Sequence, residues 1–263
     1  MMAKAVREAY SRIELWRLRQ LTMLRGIFGQ RPRIIFIHIP KTAGTTVRAH
    51  LRACIGSNSS GRAVGLTDIP FEEAPDPSRL DSALNAPLVH GHMGWESVAR
   101  IDPGNAFTFT FLRDPQSRLR SLYRDLARYP SQTGNCRLQK LTAASHGRSP
   151  QQLAHSSNLV ILSHADNYVV RQLAGCVRDY PVGAGEWPGL LEKACRNIES
   201  LDFVGSQENF SEDISIVLDR LRLPKAAKFS VINGSPKSKT EIEVDPALYE
   251  WDQKLFDNFA LRN

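Results

Sequence analysis

The sequence predicts an α/β protein, and three stretches carry that prediction. Ile34 to Ile39 is a run of β-branched and aromatic residues closed by Pro40, as a buried strand reads, and a polar turn from Lys41 to Thr46 leads into Val47 to Leu51, which can continue as a helix. Ala106 to Leu112 (AFTFTFL) alternates phenylalanine with threonine and runs into Arg113-Asp114-Pro115, where Asp114 suits an N-cap and Pro115 a first helical position. Between them, Ala86 to Trp95 (APLVHGHMGW) reads as a short strand entering a glycine-punctuated turn.

A chain of 263 residues with 42% hydrophobic content can bury one sizeable core. It divides into a basic arm, residues 1–32, and a domain, residues 33–263. The first 33 residues hold eight basic groups against Glu8 and Glu14, a net +6, so the remaining 230 carry only +1 of the total +7. The sequence pI of 9.4 therefore describes the arm, and nucleic acid is not expected as a partner. Val6, Tyr10, Ile13, Trp16, Leu21, Leu24 and Phe28 recur at the spacing of an amphipathic helix. That stripe can pack on the chain's own core, lie on a membrane surface or join two subunits. No run of about twenty apolar residues is present and no secretory leader is legible. The expected location is cytoplasmic, with peripheral membrane association open to the arm and a luminal Golgi domain as the alternative. Cys54, Cys136, Cys176 and Cys195 form no CxxC pair, and free thiols are the expectation.

Residues 56 to 81 read as a long surface connection. A helix is expected from Pro115 to about Tyr129, irregular polar chain from Pro130 to Pro150, and a helical stretch from Gln151 to Cys176. A helix at Leu190 to Ser200, a strand at Leu201 to Gly205, a helix at Glu212 to Leu221, a flexible basic loop from Asn233 to Lys239 and a last helix from Pro246 to Ala260 complete the chain.

A strand, a tight polar turn and a helix place unpaired backbone N–H groups and a helix dipole against an anion, so the turn from Lys41 to Thr46 suits a phosphate or a group shaped like one. It is not a Walker A loop: the lysine opens the turn and only Gly44 is present. A second anion site is expected where Arg113 ends its strand and Ser121 lies further along the helix, three residues after Arg118. His90 and His92, two apart at a strand end, project to one side if the strand geometry persists. They suit acid–base work, a metal pair or a satisfied structural pair.

The string PKTAGTT, Pro40 to Thr46, resembles the 5′-phosphosulfate loop of the sulfotransferases, most closely in the glycan-modifying branch that includes heparan sulfate 2-O-sulfotransferase. RDPQSRLRSLY, Arg113 to Tyr123, resembles that family's 3′-phosphate signature, about seventy residues further on in both. The His-Gly-His string resembles the branch's histidine pair, and Asn167 to Gly175 its NxxxRxLAG segment near the acceptor groove.

The resemblance runs from about Arg33 to Asp257. It implies a P-loop-like three-layer fold with a mainly parallel sheet flanked by helices, and 3′-phosphoadenosine 5′-phosphosulfate (PAPS) as co-substrate without a metal. Lys41, Thr42, Ala43, Gly44, Thr45 and Thr46 would then hold the 5′ end, Arg113 and Ser121 the 3′-phosphate, and Asn233 and Lys237 a loop over the nucleotide. Lys41 would neutralise developing charge, and His92, with His90 as neighbour or substitute, would be the general base. Asn167 and Arg171, four apart on one helix face, would have a structural or acceptor-binding role. The expected acceptor is a carbohydrate or small hydroxylated molecule, since the near-neutral domain does not suit a long acidic polymer. The alternatives are an ATP- and Mg²⁺-dependent phosphotransferase, against which the order of the loop speaks, and a non-catalytic nucleotide-binding or interaction protein. A scaffold would need none of Lys41, His90, His92, Arg113 or Ser121.

Overall fold

The computed structural model describes residues 33–55, 63–68, 77–102, 104–128, 139–225 and 241–259. The amphipathic arm, the loop with Asn233 and Lys237, and Cys136 lie outside the described residues.

Five strands form one sheet in the order β2-β3-β1-β4-β5, every pairing parallel: β1 (Arg33–Ile37), β2 (Val64–Gly65), β3 (Leu88–Gly91), β4 (Ala106–Leu112) and β5 (Phe203–Ser206). Parallel strands covered on both faces read as near-continuous apolar runs, as β1 and β4 do. Residue parity divides the two faces. Ile34, Phe36, Leu88, Phe109 and Phe111 join Val47 and Leu51 of α1 (Gly44–Ile55) and Ile214, Val217 and Leu218 of a later helix on one side. Ile35, Ile37 and Val89 pack on the other with Ala83 of α2 (Pro77–Leu84) and Val98 and Ile101 of α3 (Trp95–Ile101).

After β4 the chain forms α4 (Pro115–Leu126), where Asp114 caps by accepting from Ser117 N at 2.7 Å. The expected helical stretch from Gln151 to Cys176 is three helices instead of one: α6 (Pro150–Ala154), α7 (Leu159–Ala165) and α8 (Tyr168–Ala174). Side-chain competition for the backbone explains the breaks. Asn158 Oδ1 accepts from Val160 N and restarts the chain, and Asn167 adopts φ 41°, a left-handed conformation that stops α7 from running into α8. The span expected to be irregular contains α5 (Gln139–Ser145), which packs on α7. Beyond α8 come α9 (Trp187–Glu199), α10 (Phe210–Arg220) and α11 (Glu250–Phe259). The apolar faces of α8, α9 and α11 meet at Val169, Leu173, Ala194, Ile198 and Leu255.

Two buried side chains lock α8 to α11. Asn167 Oδ1 accepts from Trp251 N and Asp252 N at the start of α11, while Asp252 accepts from Val169 N and Val170 N at the start of α8. Each helix thus satisfies the other's orphan donors.

The chain leaves β1 toward β3 and β2 but leaves β4 toward β5, so the winding reverses between β1 and β4. Open parallel sheets present a crevice beyond the carboxyl ends of their strands at such a point. Lys41 and Arg113 both emerge there.

Candidate active site

At the end of β1 the turn closes on itself. Thr42 Oγ1 donates to Ile39 O at 2.8 Å, and Thr46 N donates to Ala43 O at 2.9 Å as α1 begins. Lys41 and Ala43 hold φ values of 71° and 65°, a region that costs a non-glycine residue of order 1–3 kcal/mol and that functional loops retain. Among the described residues, the N–H groups of Lys41 to Thr45 have no protein acceptor. The turn therefore presents free donors at the positive end of a 12-residue helix.

Arg113 crosses from β4 to this turn, its Nη1 donating to Lys41 O at 3.1 Å, so the two sequence signatures are in direct contact. Burial lowers the Arg113 pKa, against the nearby Glu208 and Asp114 charges. Lys41 Nζ lies 2.9 Å from Asp125 Oδ2 on α4, one turn beyond the buried Ser121. Asp125 was not singled out from sequence, because an acid in the third turn of an amphipathic helix carries no local signal.

Three histidines meet at the ends of β1 and β3. His92 Nδ1 is 2.7 Å from His38 O. A carbonyl only accepts, so Nδ1 carries the proton and Nε2 keeps a lone pair. As a whole residue His92 is of intermediate burial. Its backbone is fixed as well: Asp68 N donates to His92 O at 2.9 Å, and Asp68 Oδ2 accepts from Gly94 N at 2.7 Å. Arg178 holds the Asp68 carboxylate from the other side at 2.5 Å. Burial pushes His92 down to about 4, a fall that the bond to His38 O opposes. Burial likewise brings His90 down to about 3, with help from Arg52 and Arg48 of α1, and takes His38 well below the usual imidazole range. The histidines are therefore neutral at pH 7, and His92 presents a free lone pair at neutral pH. His90 is more enclosed; its buried Nε2 has no partner among the described residues.

His38 was missed in the sequence because it stands inside the apolar run from Ile34 to Ile39. Its signal lies in strand register. Phe36 pairs with His90, and the pairing continues just past the strand ends through His38 N to Gly91 O, so His38 and His92, each two residues further on, face the same way.

Asn167 and Arg171 are not brought to this edge. Arg171 is 0% exposed, and its guanidinium donates to Asp166 O at 3.1 Å, Val177 O at 3.1 Å and Ser163 O, under the ring of Tyr180 at 4.9 Å. Asn167 is spent on the α8–α11 lock and on Ala247 O. Both hold the helical layer together. Among the described residues, no three His, Cys, Asp or Glu side chains are grouped to hold a metal, and no helix is long and apolar enough to cross a membrane.

Comparison with protein families matches residues 27–256 to the sulfotransferase family. No curated protein sequence matches the chain. With the match spanning most of its length, the chain belongs to the sulfotransferase family.

Proposed function

We propose that the protein is an O-sulfotransferase that takes its sulfuryl group from PAPS and delivers it to a hydroxyl of a carbohydrate or other hydroxylated acceptor. The observation that carries this reading is the contact between Arg113 and the turn at Lys41, which gathers free N–H donors, a lysine and an arginine at the crevice between β1 and β4. These groups fit a nucleotide bearing anionic substituents at both ends: the turn suits the 5′ end and Arg113 with Ser121 the 3′-phosphate. Bound there, the donor would supply a sulfuryl group on a good leaving group, its bridging S–O bond breaking as the acceptor oxygen forms a new one and adenosine 3′,5′-bisphosphate departs.

The chain's own part is placement, charge and one proton transfer. Lys41 exchanges Asp125 for the developing charge at the 5′ end. His92 Nε2 takes the acceptor's hydroxyl proton, and the His38 carbonyl, already bonded to Nδ1, stabilises the imidazolium that results. Thr42 contributes its backbone N–H, since its hydroxyl is turned inward to Ile39 O.

Isothermal titration with adenosine 3′,5′-bisphosphate, without metal, tests the donor site. Micromolar binding that Lys41→Ala and Arg113→Ala each weaken at least about tenfold, the size of a lost charge-assisted contact, is the expected result. Absence of binding by folded protein, or binding of ATP only with Mg²⁺, overturns the reading.

A further inference from the structure

His38 stands between the anion-binding turn and the candidate base, touching both. Its ring lies against Gly44 so closely that a Cβ at Gly44 would fall 1.8 Å from His38 Cδ2 and 2.1 Å from Nε2. Only glycine leaves room for the ring. On its other side the ring packs against that of His92, with centroids 4.2 Å apart and planes inclined by 33°. Phe36 stacks on it from within β1 at 5.7 Å, so the ring cannot retreat into the core. The backbone of His38 is equally committed: its N–H donates to Gly91 O at 2.8 Å, and its carbonyl accepts from His92 Nδ1 and, at 3.4 Å, from Gln172 Nε2.

We propose that His38 is a positioning residue that couples the donor turn to the base, its carbonyl setting the tautomer of His92 and its ring transmitting any shift of Gly44 to the His92 imidazole. The argument rests on the sulfotransferase reading above. An anion drawn onto the N–H groups of Lys41 to Thr45 pulls on the segment that contains Gly44, and no slack separates Gly44 from His38 or His38 from His92. Packed interiors pass on such displacements because they hold few voids to absorb them. Occupancy of the donor turn thereby orients the base, and the lone pair on His92 Nε2 is aimed only when a nucleotide fills that turn.

The test uses nitrogen-15 histidine spectra of the full-length protein titrated with adenosine 3′,5′-bisphosphate, the His92 signals being assigned by their loss in His92→Gln. Wild-type protein shows the Nδ1–H tautomer at His92 and a shift of its ring nitrogens on saturation. His38→Ala keeps the carbonyl but removes the ring: the nucleotide still binds, and the His92 shift falls by at least about twofold. His38→Phe restores a flat ring on the same neighbours and returns the shift. Gly44→Ala, read without nucleotide, displaces the His92 signals directly and keeps the proposal open to refutation if His38→Ala fails to fold. A His92 shift of unchanged size in His38→Ala, or unmoved His92 signals in Gly44→Ala, overturns the coupling while leaving the donor site standing. Failure of wild-type protein to bind the nucleotide overturns the donor reading and the coupling with it.

Discussion

Replacing Asp252 by leucine removes the carboxylate that faces Arg118 in the interior. Arg118 is 0% and Asp252 1% exposed, and Nη2 and Oδ2 are 3.5 Å apart. The guanidinium otherwise donates only to Ala165 O at 3.1 Å, and its Nε and Nη1 have no partner among the described residues. Burial raises the Asp252 carboxyl pKa, while Arg118 and the N–H groups of Val170 and Val169 oppose that rise. Stranding a buried cation costs about 3–5 kcal/mol, against a total stability of about 5–15 kcal/mol. For a domain of this size each kcal/mol lowers the melting temperature by about 2–4 °C, so Asp252→Leu should melt about 6–20 °C below wild type. Thermal and urea unfolding followed by circular dichroism read this directly. The double variant Arg118→Met/Asp252→Leu replaces both charges by apolar groups and should recover the part of the loss that comes from the stranded cation, while Val169 N and Val170 N stay without their acceptor. A single variant within about 1 kcal/mol of wild type, or a double variant no more stable than the single, refutes the reasoning.

Further outcomes follow from the histidines and from Lys41. His90, His92 and His164 have folded pKa values brought down to about 3, 4 and 4, whereas the unfolded chain takes up these protons near 6.5. Their contribution to stability is therefore complete above pH 6.5 and lost as pH falls from there toward 4 for His92 and His164 and toward 3 for His90. In histidine proton spectra of the folded protein His92 should titrate near 4, and a midpoint at 6 to 7 contradicts the burial argument. Asp125→Asn frees Lys41 from a half-exposed ion pair of about 0.2–1 kcal/mol, so titration with adenosine 3′,5′-bisphosphate should tighten by up to about fivefold at low salt. Weaker binding would mean that Asp125 orders Lys41 for the ligand instead of competing with it.

The positions of these candidate groups were largely legible because turns and strand ends are written locally. A lysine-led turn after an apolar strand, and an Arg-Asp-Pro at the next strand's end, each carry their meaning within a few residues. Their contact through Arg113 and Lys41 O depends on β1 and β4 being neighbours, which no local pattern states. Parity placed His90 and His92 together, but His38 needed the register between two strands to be seen. The helix face expected to carry both Asn167 and Arg171 holds only Arg171, since Asn167 precedes α8 in a left-handed conformation. Which way that face turned was decided by α11, about eighty residues away, where Asp252 reads only as an ordinary acid in an amphipathic helix.

The lock between α8 and α11 also bears on synthesis. Arg118 emerges from the ribosome 134 residues before the carboxylate that neutralises it, and domains begin to organise as they are made. Until Asp252 is free of the exit tunnel, α4 carries an unmatched charge at the place where the interior must close, and the start of α8 lacks its acceptors. The nascent chain can assemble the early part of its sheet, yet it cannot seal the helical layer behind the crevice at the ends of β1 and β4. Loss of the final helix would thus leave a polypeptide that holds every residue assigned to sulfuryl transfer and still fails to keep them in place.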